Sequence, residues 1–228
     1  MSLDEDGASR GRRPLRVGLT GNIGSGKSSV ARLLRDHGAA VIDSDVLARQ
    51  ATEDPAVLER IAEELGRDLV VEGEDGPRLD RARTAALVFS DARALDTLNG
   101  IVHPWVRRRS VELERELAAG DRPPPVIVLD IPLLYENGLE TGLDAVVVVT
   151  APLEKRLARV VDRSGRASAT SSAAARSDAV ARDAAQMPLE EKAARADFVV
   201  DNSGSLEDLR EATARLWAGL LRLSNTAL

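Results

Sequence analysis

The chain has 228 residues, 43% of them hydrophobic and 30% charged, with a net charge of -6 and no cysteine. That length buries one substantial core and leaves room for an inserted helical piece rather than a second large domain. The acidic balance speaks against a general nucleic-acid binder, which needs a positive field, and the lack of cysteine removes disulfides, thiolate metal sites and a cysteine nucleophile.

Residues 1–14 are polar and lack the apolar middle of a signal peptide, so they read as a disordered tail. Every apolar run is far shorter than a membrane span, which gives a cytoplasmic expectation with no membrane partner. Residues 15–20 then form a short apolar run of the kind that makes a buried strand. After it come Gly21, Asn22, Ile23, Gly24, Ser25, Gly26, Lys27, Ser28 and Ser29, a complete G-x-x-x-x-G-K-S phosphate loop. Val30, Leu33 and Leu34 follow at helical spacing, so the loop stands between a strand and a helix, where such loops work. The glycines let backbone N–H groups converge on a phosphate chain, and the helix N-terminus adds partial positive charge. Lys27 is expected on the β- and γ-phosphates and the Ser28 hydroxyl on Mg2+. Of 31 basic residues only Lys27, Lys155 and Lys192 are lysines. The chain writes arginine almost everywhere else, and at the loop position the two are not interchangeable.

Residues 39–42 give a second strand, ending in Asp43-Ser-Asp45. In an open α/β sheet ligands bind at the carboxyl ends of the strands, so one of these aspartates is a candidate base for an attacking hydroxyl, and a helix cap is the alternative. Residues 48–121 are mostly helical in pattern with a polar break at 66–81, too long for a simple crossover, and read as a helical insertion. Within it His103, Trp105 and Arg107 cluster around Pro104 as a candidate site for a phosphorylated acceptor. Residues 126–129 form a third strand ended by Asp130, placed as a Mg2+-associated carboxylate is. Residues 145–149 form a fourth, and Phe198, Val199 and Val200 a fifth before the last helix. Between these, residues 153–192 are rich in Arg and Ala and read as a lid, on which Arg159 and Arg163 could neutralise a transferred phosphoryl group. No internal repeat is present. The segments assemble as a three-layer α/β fold with a five-stranded, mainly parallel sheet. The nucleotide-binding core is expected at 15–47, 122–152 and 193–228, with the insertion at 48–121 and the lid at 153–192.

The ordered set of motifs resembles the dephospho-coenzyme A kinase family. It is carried by the phosphate loop, Val41-Ile-Asp-Ser-Asp45, His103-Pro104, Pro132-Leu-Leu-Tyr-Glu136, Arg159, Arg163, Arg182 with Gln186, and residues 196–202. The resemblance implies a fold similar to nucleoside monophosphate kinases and transfer of the ATP γ-phosphoryl group to the ribose 3'-hydroxyl of dephospho-coenzyme A, with ATP and Mg2+ as cofactors. It puts Asp45 first and Asp43 second as the base, Asn202 near the adenine, and His103, Arg107, Pro132, Leu133 and Glu136 on the acceptor. Nothing in it calls for an obligatory protein partner. Asn22, where the family usually has a glycine, and Arg156, where it usually has a glutamine, depart from the pattern, as does Ser164 in place of an aspartate. A kinase for another small alcohol and an ATP-dependent regulatory switch are the alternatives.

Overall fold

The computed structural model describes residues 13–74, 76–167 and 172–226. The chain divides into two compact units, Met1–Val41 with Leu117–Leu228, and Ile42–Glu116.

The first unit is built on a sheet of β1 (Leu15–Thr20), β2 (Ala40–Asp43), β5 (Val126–Asp130), β6 (Ala145–Thr150) and β7 (Phe198–Asp201), in the order β2-β5-β1-β6-β7. β1 runs parallel to both β5 and β6, and β6 runs parallel to β7. This is the expected five-stranded parallel α/β sheet. The valine run of β6 is uninterrupted because both of its faces are covered, as parallel sheets require. Val147 and Val149 pack with Val17 and Val128 against α1 (Lys27–Asp36) and α9 (Leu206–Thr226), through Val30, Leu34, Leu209 and Leu220. Val146 and Val148 turn to the opposite face, where Leu134, Tyr135 and Leu189 of α8 (Leu189–Arg195) cover them. Gly18 is required at the centre of β1. A Cβ there would lie 2.5 Å from Leu134 Cδ1 and 2.6 Å from Leu143 Cδ1, so any side chain would expel the loop that follows β5. The expected lid resolves into α6 (Leu153–Ala167), α7 (Ser172–Ala184) and α8, and the middle of its Ala/Ser-rich stretch, 168–171, lies outside the described residues.

The second unit holds α2 (Ser44–Ala51), α3 (Pro55–Glu64), α4 (Arg81–Ser90) and most of α5 (Ala92–Ala119). Asp43, Asp54 and Asp80 cap three of these helices, each side chain accepting from two backbone N–H groups. The core of the unit is Val57, Ile61, Leu69 and Ile101, with Trp105 packed on it. One expectation is corrected here. The polar break at 66–81 does separate α3 from α4, but it holds an antiparallel hairpin that a mostly helical insertion did not include, β3 (Val70–Gly73) and β4 (Gly76–Leu79), with Val70 opposite Leu79. Val70 and Leu79 pack on the unit's core, and that burial sustains a hairpin that the polar composition around it concealed.

Candidate active site

The phosphate loop joins β1 to α1. Gly24 and Gly26 are two of the positions where it needs glycine, with φ of +75° and +94°. A Cβ on Gly24 would lie 2.3 Å from the Arg156 carbonyl oxygen, and one on Gly26 would lie 2.0 Å from Asn202 Nδ2. No non-glycine residue among those described has positive φ, so Asn22 occupies ordinary backbone space and its departure from glycine carries no strain.

The loop's carbonyls are held from behind. Arg156 donates to the Ile23 oxygen at 3.3 Å, and Arg159 donates to the Gly24 and Ser25 oxygens at 3.3 and 3.2 Å. Asn202 Nδ2 donates to the Ser25 oxygen at 2.7 Å. In a trans peptide the N–H points away from the C=O of the same plane. Fixing the Ile23 and Ser25 carbonyls on the arginine and asparagine side therefore aims the Gly24 and Gly26 N–H groups at the opposite side. α1 begins there without a side-chain cap, so the first-turn N–H groups of Lys27 and Ser28 add to the same anion-directed set. The arrangement fits a nucleotide triphosphate tail.

Lys27 Nζ pairs with Asp130, whose side chain is 2% exposed at the end of β5. Ser28 is exposed at the start of α1. Among the described residues no cluster of three or more His, Cys, Asp or Glu side chains could cage a metal. Mg2+ keeps waters and phosphate oxygens and takes only one or two protein ligands, so a site of this kind needs no such cluster.

Other expected site residues have other surroundings. Arg159 spends its guanidinium on three carbonyls, the third being that of Asn202 at 2.9 Å. Arg163 is exposed on α6. The Pro132 carbonyl accepts from Thr20 Oγ1 at 2.9 Å, and Leu133 is exposed beside it. Glu136 is engaged internally. Its Oε1 lies 2.7 Å from Lys192 Nζ and accepts from the Met187 N–H at 3.0 Å. Burial alone would raise its pKa, but Lys192 and the backbone donors together outweigh that and hold the carboxyl below its ordinary range.

In the second unit, Asp43 Oδ1 accepts from the Asp45 and Val46 N–H groups at 2.9 and 3.1 Å, so Asp43 is a helix cap. Asp45, in the first turn of α2, is exposed and keeps its carboxylate out of that cap. His103 is partly buried, and burial, then the Arg107 charge, hold its pKa below the ordinary value, which keeps the ring neutral. Trp105 is structural, donating from Nε1 to Asp54 Oδ2 at 2.9 Å. Arg107 is exposed.

The sequence reading did not identify Asp183, and it named Lys192 only as a rare lysine. Asp183 accepts from Asn22 of the loop and from Arg156, and Lys192 holds Glu136. The scarcity of lysine was the signal available for Lys192; for Asp183 the sequence offers none.

The dephospho-CoA kinase family model matches residues 15–208. A dephospho-CoA kinase of Deinococcus radiodurans is 50% identical over 196 residues, covering 86% of this chain and 87% of that protein. One from Thermus thermophilus is 46% identical over 209 residues, covering 92% and 93%. A crystal structure of a Thermus thermophilus protein superposes with a TM-score of 0.73 at 45% identity, over 92% of this chain and 99% of that one.

Proposed function

The chain belongs to the dephospho-CoA kinase family, and from that premise we propose that it transfers the γ-phosphoryl group of ATP to the ribose 3'-hydroxyl of dephospho-CoA, the final step of CoA biosynthesis. The observation that carries this reading is the phosphate loop, with its carbonyls bound from behind by Arg156, Arg159 and Asn202 and its N–H groups turned the other way.

In the reaction the acceptor hydroxyl loses its proton to Asp45, its oxygen forms a bond to the γ-phosphorus, and the bond from that phosphorus to the bridging oxygen breaks to release ADP. Asp43 is assigned to holding α2 and Asp45 to the proton, because only Asp43 is committed to the cap. Lys27 and the Gly24, Gly26 and Ser28 N–H groups balance charge on the phosphates, and Arg163 adds to this from α6. Ser28 and Asp130 would hold Mg2+, which would supply charge neutralisation at the phosphate oxygens. His103, Arg107, Pro132 and Leu133 are assigned to the acceptor, and Asn202 to the adenine side of the loop. Glu136 is assigned to its internal pair with Lys192. Among the described residues no helix is long and apolar enough to cross a membrane, in keeping with the proposed cytoplasmic location.

The test is ADP release from MgATP with dephospho-CoA, run beside adenosine, AMP, pantetheine phosphate and no acceptor. Turnover confined to dephospho-CoA, with CoA as product, is expected. Turnover with another acceptor alone would refute the acceptor assignment, and ATP binding without any acceptor-dependent turnover would refute the kinase reading.

A further inference from the structure

Two of the positions at which the sequence departs from the resembled pattern, Asn22 and Arg156, meet at one carboxylate. Asn22 Nδ2 donates to Asp183 Oδ1 at 3.1 Å and to the Met187 carbonyl at 3.2 Å. Arg156 approaches the same carboxylate with both terminal nitrogens, Nη2 lying 3.1 Å from Oδ2 and Nη1 on Oδ1. Its Nε donates to the Ala151 carbonyl at 3.1 Å, and Nη1 also reaches the Ile23 carbonyl of the loop. Gln186 Oε1 accepts from the Ile23 N–H at 3.0 Å. Asn22 and Arg156 are both buried, at 3% and 5% exposure.

These groups come from three places in the chain. Asn22 and Ile23 belong to the phosphate loop, Arg156 to the first turn of α6, and Asp183 and Gln186 to the last turn of α7 and the residues after it. A bidentate arginine–carboxylate pair fixes orientation as well as distance, and in a site with little water it does so strongly. Burial pushes the Asp183 pKa up, but Arg156, Asn22 and the nearby Lys192 outweigh it and keep the carboxylate charged. Both hydrogen-bonding directions of Ile23 are thereby spent on the roots of the two helices, its carbonyl on Arg156 and its N–H on Gln186.

We propose that Asn22, Asp183 and Arg156 form a clamp that sets the phosphate loop in its nucleotide-receiving shape by fastening it to the roots of α6 and α7. They are positioning residues. The clamp determines where the Gly24 N–H points, because that N–H shares a peptide plane with the Ile23 carbonyl that Arg156 holds. Opening it lets the plane rotate and weakens ATP binding, leaving the acceptor's own contacts as they were. The inference takes ATP as the loop's ligand from the proposed function, and it does not depend on the identity of the acceptor.

The experiment compares R156Q, D183N and the double variant R156Q/D183N with the parent. Affinity is read by titration with a fluorescent ATP analogue in the absence of acceptor, beside thermal melting and steady-state kinetics in each substrate. Each single variant is expected to lose about tenfold in ATP affinity, the scale of one charge-assisted hydrogen bond. The double variant is expected to lose no more than the weaker single, because one clamp cannot be opened twice. The KM for dephospho-CoA is expected to stay within about twofold. Melting temperatures that fall while ATP affinity stays within about twofold would overturn the proposal and leave the cluster as packing. Should R156Q fail to fold, N22A removes only the amide link and leaves the Arg156–Asp183 pair intact. A loss of about threefold in ATP affinity is then expected, and unchanged affinity overturns the clamp. Because the titration uses no acceptor, a failed acceptor assignment would show only in turnover and a failed clamp only in binding.

Discussion

Glu136 offers a sharp test, since the sequence suggests an acceptor contact whereas the fold pairs it with Lys192. Lys192 is fully buried and Glu136 is 19% exposed, with 2.7 Å between Nζ and Oε1. E136Q keeps the shape and the acceptor for the Met187 N–H but takes from the buried ammonium the carboxylate it is paired with. Breaking a buried pair in that way costs about 3–5 kcal/mol. At this chain length each kcal/mol lowers Tm by about 2–4 °C, so E136Q is expected to lose roughly 6 to 20 °C. K192M should lose less, because Glu136 is nearer water and can take up a proton. E136Q/K192M, with no buried charge, should recover most of the loss. The pH dependence has a definite sign. The folded pKa of Glu136 lies below its unfolded value, so its contribution is complete above the unfolded pKa and is lost as pH falls through the folded one. The gap in Tm between the parent and the double variant should therefore narrow below about pH 4. Differential scanning calorimetry from pH 3 to 8, with the KM for dephospho-CoA measured on the same samples, decides the matter. An E136Q variant with unchanged Tm and a raised KM for dephospho-CoA would refute the buried-pair reasoning and restore the acceptor role.

D45N should lower kcat by about 10²- to 10⁴-fold with the KM for ATP within about twofold, and unchanged turnover would remove Asp45 from the chemistry. D43A, by contrast, should act on stability, costing about 1 kcal/mol for a lost cap in a urea melt. K27M should lower kcat/KM for ATP by about 10²- to 10³-fold, and loss of the Lys27–Asp130 ion pair should also lower Tm; full activity would refute the phosphate assignment. G24A and G138A both place a side chain at positive φ, but a Cβ at Gly24 strikes the Arg156 carbonyl whereas one at Gly138 meets nothing within 4 Å. G24A should therefore lose ATP binding, while G138A should cost only about 1 kcal/mol in a denaturant melt. Equal losses of ATP affinity in the two would contradict the loop geometry.

The parallel sheet was legible because its strands are short and continuous in apolar residues, and the valine run of β6 can be satisfied only by cover on both faces. The phosphate loop was legible because its residue types are set by local backbone geometry. The hairpin at residues 70–79 was not, since its few apolar residues gain from a core that α3 builds together with α5, further along the chain. The contacts behind the loop were the least legible. Asn22 meets Asp183 across 161 positions, and neither residue carries a local pattern that announces the other. Asn22 could be noticed as unusual, but the departure took on meaning only once its amide was seen between Asp183 and Met187.

The lysines tie these strands of argument together. In a chain that places arginine at nearly every basic position, each of the three lysines ends on an oxygen inside the first unit: Lys27 on Asp130, Lys155 on the Ser203 carbonyl and Lys192 on Glu136. An ammonium is compact and directs its charge at a point, whereas a planar guanidinium needs room for a fork. Arg156 has such room, and it uses the fork to bridge a carboxylate and two carbonyls. The fully buried Lys192 and the Lys27 position between loop and strand end do not require a fork. Composition read residue by residue is thus a structural signal: where a chain abandons its habitual cation, the site demands the shape of the other one. K192R tests this directly. The larger head should lower Tm by several degrees in a site with no exposed surface, whereas an unchanged melt would show that lysine is there by chance.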